Sequence, residues 1–229
     1  EKMDKSVRFI VMNSPSNPTG AVYLPDTIRE IAEIAQQYGA LVLSDEIYED
    51  ILYQGERYSP GSEFDNVITI NGFSKTYAMT GWRLGYVTAP REIIDGMIKV
   101  YQQSATCVTA FAQSGAIDAL RNPKAAADSQ KMVQGYRERC DLISELIQES
   151  GFFKGFTPQG AFYAFPSYTF KRSSLEVANL LLEKAHVATV PGSAFGDCGE
   201  YHIRFSYSTS KENIIEGFRR IRQIADQLA

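Results

Sequence analysis

Only two histidines (His186 and His202) and three cysteines (Cys107, Cys140 and Cys198) occur in 229 residues. The cysteine number is odd, the spacing is wide and no C-x-x-C is present. A disulfide framework is therefore not expected, and reduced thiols of a cytoplasmic protein are. Neither histidine forms a motif with a nearby Cys or Asp, so no metal site is expected. Basic runs are missing too. Lys and Arg number 23 against 27 Asp and Glu, a net charge of -4, which argues against a nucleic-acid partner. The apolar runs are far shorter than a membrane span, and the opening EKMDKSVRF is not a signal peptide. There is no internal repeat, no low-complexity segment and no Gly/Ser linker.

What is there reads as a globular chain, 44% apolar and 22% charged, long enough to bury a real core. The first half alternates strand and helix patterns. VRFIVM (7–12), ALVLS (40–44) and VITIN (67–71) are apolar, strand-like runs. Between the first two, Pro25 suits a first helical position and Gly39 a C-terminal cap. Ile28, Ile31, Ala32, Ala35 and Tyr38 recur there at helical spacing. Strands separated by helices predict an α/β fold with a mainly parallel sheet. LGYVTA (84–89) reads as a further strand, possibly reversed. One helix is then expected over 91–120 and, after Asn122-Pro123 breaks it, a second over 124–150. Beyond it, short strands at 162–165, 187–190 and 202–206, a helix at 174–184 and an amphipathic helix at 211–228 predict a smaller α+β domain. The chain opens at Glu1 almost directly on a strand, which suggests that a large N-terminal piece precedes it.

In doubly wound sheets, ligands bind outside the carboxyl ends of the strands, and three motifs sit there. In Asn13-Ser-Pro-Ser-Asn17-Pro-Thr-Gly20, two prolines and a glycine fix a turn, with Asn17 held extended before Pro18. Its amide is a candidate donor to a ligand oxygen, though plain turns share this composition. In Ser44-Asp45-Glu46-Ile47-Tyr48, Asp45 emerges after four apolar residues. A carboxylate there needs a partner, and a protonated ring nitrogen would serve. A helix N-cap is the other reading, and Tyr48 would lie one turn on. In the stretch from Gly72 to Gly85, GFSKTYAMTGWRLG, Lys75 stands among small, hydroxylic and aromatic residues rather than solvated ones. A lysine amine forms Schiff bases with aldehydes, and Arg83, eight positions on, suits a phosphate.

GFSKTYAMTGWRLG resembles the pyridoxal-phosphate (PLP) attachment motif of the class I/II aminotransferases, of the aspartate aminotransferase fold type. SPSNPTG, SDEIYED, TPQGAFYAFP (157–166), PGSAFG (191–196) and YHIRFSYSTS (201–210) complete the series in the family's order, so the resemblance covers essentially the whole chain. It implies that residues 1–135 are the C-terminal part of a PLP-binding large domain and 136–229 a small C-terminal domain. It implies that Lys75 carries the cofactor and later shuttles the proton. Asp45 would pair with the pyridine nitrogen, and Tyr48 and Asn17 with the ring hydroxyl. Arg83 and Ser74 would bind the phosphate, and Arg204 the substrate α-carboxylate. Ile203 and Phe205 flank Arg204 in an alternating strand, a pattern equally open to a surface arginine on an edge strand.

The implied reaction is transamination between an L-amino acid, aspartate or aromatic first, and a 2-oxo acid such as 2-oxoglutarate, in a homodimer. A β-lyase of the same fold and a non-catalytic PLP-sensing regulatory domain are the alternatives. Two departures stand out. Some members carry a serine three positions before the lysine, where this chain has Gly72. The family's N-terminal portion, with a phosphate loop and a ring-stacking aromatic, is also missing. This chain alone is therefore expected to be inactive, with open sheet edges and uncovered apolar faces.

Overall fold

A computed structural model describes residues 3–228. By internal contacts the chain forms two compact units. The first comprises the chain up to Pro15 together with Val22–Val133, and the second Ser16–Ala21 together with the chain from Gln134 onward.

The first unit is built on a four-stranded sheet in the order β1 (Phe9–Asn13), β2 (Leu41–Asp45), β3 (Val67–Gly72), β4 (Gly85–Thr88). β1, β2 and β3 are mutually parallel, and β4 runs antiparallel to β3. The fold is α/β, as the alternation of patterns predicts, and the 84–89 run is indeed reversed. Between β1 and β2 runs α1 (Pro25–Gln37), with Pro at its start and Gly39 in the left-handed region just past its end. Only such a residue turns the chain there without a Cβ penalty. Its buried side chains, Ile28, Ala32 and Ala35, form one stripe that packs against Met12, Val42 and Val67 of the sheet. The two alanines let the helix lie close to the strands.

The expected helix over 91–120 is two helices, α2 (Arg91–Ser104) and α3 (Ala110–Arg121). Thr106 between them has φ 62°. A β-branched residue in that region ends a helix, and Val108 and Thr109 add more χ1-restricted residues. No residue of α2 is buried. α4 (Pro123–Ser150) follows, 28 residues long.

The second unit contains two small sheets. One pairs β5 (Phe153–Lys154) with β7 (Ser167–Tyr168). The other has the order β6 (Tyr163–Ala164), β9 (Ile203–Ser206), β8 (Val190–Pro191), all antiparallel. β9 is thus the central strand of three. α5 (Ser174–Ala185) starts with a capping box, in which Ser173 accepts from the Glu176 N–H and Glu176 accepts from the Ser173 N–H. The closing 211–228 region is α6 (Lys211–Gln223) and a short α7 (Ala225–Leu228). Phe153, Phe205 and Phe218 pack ring to ring in the core of this unit, with centroids 5.4–6.5 Å apart.

Candidate active site

The parallel pairing of the first unit fixes where its polar groups emerge. Asp45 ends β2 in register with Asn13 at the end of β1 and Ile70 in β3, so it stands at the carboxyl edge of the sheet. Asn13 Nδ2 donates to the Asp45 carbonyl at 3.0 Å. The Asp45 carboxylate accepts the Ile47 N–H at 3.2 Å. This contact closes a turn at 47–50 and not a helix, so the N-cap reading fails. Burial pushes the Asp45 carboxyl above the ordinary aspartate range, while the Ile47 N–H and the charge of Lys75 pull it back. A half-buried carboxylate whose own contacts do not offset its desolvation is one that gains from a cationic partner.

Tyr48 is 4% exposed, and Lys75 Nζ stands 5.8 Å from the centroid of its ring. Lys75 lies in the turn that follows β3, directly after the half-buried Ser74. Arg83 is exposed, in the left-handed region at φ 54°, with Nη1 donating to the Thr80 carbonyl at 2.8 Å. Behind the sheet edge, Glu46 accepts from the hydroxyls of Ser44 at 2.8 Å and Ser59 at 3.0 Å. Glu49 accepts from Asn71 of β3 and pairs with Arg57 at 2.6 Å. These supports escape sequence reasoning because Ser59 and Arg57 lie in a loop with no periodic pattern.

In the second unit, Arg204 lies on the central strand β9. Ile203 and Phe205 are buried on one face and Arg204 is half-buried on the other. The edge-strand reading is therefore excluded. Arg204 Nη1 donates to Asn17 Oδ1 at 2.9 Å. Asn17 is held by the close docking of its loop. The N–H groups of Gln159 and Gly160 donate to Gly20 O at 2.8 and 3.0 Å. A Cβ at Gly20 would sit 2.6 Å from Pro158 Cβ and 2.7 Å from Tyr163 O, so only glycine fits. The Arg204 guanidinium carbon is 4.7 Å from the Tyr163 ring and 5.2 Å from the Phe195 ring, while its Nε is buried without a hydrogen-bond partner. An N–H so placed is costly unless something fills it, and a carboxylate does so with charge assistance.

Residues 1–221 match the family model described as aminotransferase class I and II. The chain belongs to the class I and II aminotransferases. It is 44% identical to a probable aspartate aminotransferase of Methanocaldococcus jannaschii, over 98% of this chain and 60% of that one. It is 40% identical to aromatic-amino-acid aminotransferase 2 of Thermococcus litoralis, over 95% and 57%. Among solved structures, an aromatic aminotransferase from Pyrococcus horikoshii superposes with TM-score 0.94 at 39% identity, covering 99% of this chain and 62% of that one. This aminotransferase chain therefore spans about three-fifths of the length of the curated relatives it matches.

Within that family frame, Gly72 has a structural reason in this chain. β3 and β4 approach so closely that a Cβ at Gly72 would lie 3.0 Å from Gly85 Cα and 3.0 Å from Leu84 O. A serine hydroxyl there would need the β3–β4 pair to move apart. Tyr163 and Phe195 stand out in the motifs GAFYAFP and PGSAFG, but sequence reasoning gave them no role. Their contact with Arg204 depends on strand pairing between residues 40 positions apart.

Proposed function

We propose that this chain supplies most of the cofactor and substrate groups of a PLP-dependent transaminase. The reaction moves an amino group between an L-amino acid, aspartate or aromatic, and a 2-oxo acid such as 2-oxoglutarate. The observation that carries this reading is the half-buried Asp45 carboxylate, pushed upward by burial and offset by the charge of Lys75 at the same sheet edge. The donor set fits the cofactor: a carboxylate for the pyridine nitrogen, an amine for the aldehyde, a hydroxyl and a guanidinium for the phosphate. When bound, PLP supplies the aldehyde for substrate capture and a ring that withdraws electrons from the α-carbon.

Asp45 holds a proton on the ring nitrogen. Tyr48 and Asn17 hydrogen-bond the ring hydroxyl. Ser74 and Arg83 bind the phosphate. Lys75 anchors the cofactor, and its freed amine then acts as general base and acid, moving the proton at the substrate α-carbon. Arg204 binds the α-carboxylate and fixes the substrate's orientation. Residues 1–135 act as part of the cofactor-binding domain and 136–229 as the smaller domain, a division supported by the change of compact unit between Val133 and Gln134. The working form is a cytoplasmic homodimer. Among the described residues no helix is long and apolar enough to cross a membrane.

The test is absorbance after PLP addition, then borohydride reduction and peptide mapping. A visible imine band and a reduced pyridoxyl group on Lys75 are expected, both lost in Lys75→Ala. A label on another lysine would sink the assignment.

A further inference from the structure

Around Arg204 the second unit builds more than a carboxylate binder requires. Phe195 ends a helical turn at Gly192–Phe195 and remains 38% exposed. Its loop is nonetheless pinned at every point. A Cβ at Gly192 would fall 1.8 Å from Gly199 O, so the two ends of the loop touch backbone to backbone. The Gly192 N–H donates to His202 O at 2.9 Å. The Ser193 N–H donates to the buried Ser174 Oγ at 3.1 Å, and the Ser174 N–H donates to Glu200 Oε1 at 2.7 Å. Phe165 meets the Phe195 ring edge-on at 5.8 Å and is itself stacked on His202 at 5.0 Å. This much anchoring of a ring over a third exposed contributes little burial, so core packing does not account for it. The contact it secures is with a cation, the Arg204 guanidinium at 5.2 Å.

We propose that Phe195 is a positioning residue for Arg204. It rests on the reading of Arg204 as the substrate-carboxylate group. Asn17 takes one N–H of the guanidinium, and the buried Nε has no partner of its own. A long arginine side chain loses rotamer freedom when fixed. The ring, with Tyr163 at 4.7 Å, bears part of that cost in advance through cation–π attraction, so the remaining N–H groups are presented to a planar carboxylate already ordered. Because the contact forms with or without substrate, Phe195 acts on carboxylate affinity and not on proton transfer at Lys75.

The experiment is calorimetric titration of maleate, a dicarboxylate, into the chain and its variants. Phe195→Leu is expected to weaken binding about tenfold, the size of one well-formed cation–π contact. Phe195→Tyr, which keeps a ring, is expected to restore it to within about twofold. In transamination assays the loss in Phe195→Leu falls on the KM values of amino acid and oxo acid, a split that general loosening of the fold would not give. Unchanged maleate affinity in Phe195→Leu, with binding lost in Arg204→Lys, overturns the inference and leaves the reading of Arg204 intact. Unchanged affinity in Arg204→Lys overturns that reading, and the inference with it.

Discussion

Glu46 follows Asp45 directly and has a different fate. It is 4% exposed, and both hydroxyls that reach it, Ser44 and Ser59, bond the same oxygen. Burial raises its carboxyl above the ordinary glutamate value of 4.5, with the neighbouring Glu49 charge adding to the rise and the two serines and Arg57 opposing it. Between that ordinary value and the raised one, the folded chain binds the proton and the unfolded chain does not. Stability therefore falls as pH rises through this window. Glu46→Gln keeps an acceptor for the serines and has no charge to bury. It is expected to flatten that slope and to leave the chain at least as stable at neutral pH, as read by urea denaturation at a series of pH values. An unaltered slope would mean that Glu46 titrates normally. Asp45 was legible in the sequence because an acid after four apolar residues can only stand at a strand end. Glu46 was not, since its partner Ser59 is 13 positions away in an unpatterned loop.

At the scale of elements, the second unit depends on few strong contacts. Its strands β5 to β8 are two residues long, and ladders this short contribute little by themselves. The aromatic cluster holds them. Phe153 is 2% exposed, with the rings of Phe152, Phe205 and Phe218 at 4.9, 5.4 and 6.5 Å. Phe153→Ala is expected to cost about 3–5 kcal/mol in chemical denaturation, the usual range for a buried phenylalanine. A cost below about 1 kcal/mol would show that the cluster closes over the gap. These two-residue strands also mark a limit of sequence reading. The longer β1, β2 and β3 were visible as apolar runs with turn residues after them, and β9 as strict alternation. The position of β8 was off, with 187–190 expected and Val190–Pro191 found, because its pairing is set by Arg204 and Ile203 on β9 and not by its own pattern. In α2 and α3 the helical period continues through the break, and only the backbone of Thr106 interrupts it.

The whole chain leaves a good deal of apolar surface in water. Val11 of β1 is 72% exposed, Val100 of α2 69% and Phe111 of α3 74%. Contiguous apolar surface of this kind drives association. The 229-residue chain by itself is expected to bind a hydrophobic dye such as ANS strongly and to sediment as more than one species at micromolar concentration. A dye-free, monodisperse monomer would show that these faces are tolerated in water. Of the candidate site, the identity of each group was legible from motif and position. Its division was not: Asp45, Tyr48, Ser74, Lys75 and Arg83 fall in one compact unit, and Asn17 and Arg204 in the other.

That division gives the six residues Ser16–Ala21 a particular status. They are flanked on both sides by chain of the first unit but are folded into the second through Gly20 and its contacts with Gln159 and Gly160. The polypeptide therefore changes unit three times, and no single cut separates the two. A gene split between Val133 and Gln134 would leave Arg204 in one product and its hydrogen-bond partner Asn17 in the other. Reassembly of the two products would then require a foreign loop to thread into a finished surface. Engineers who want the second unit alone must graft this hexapeptide back, for instance by circular permutation, and not merely shorten the gene.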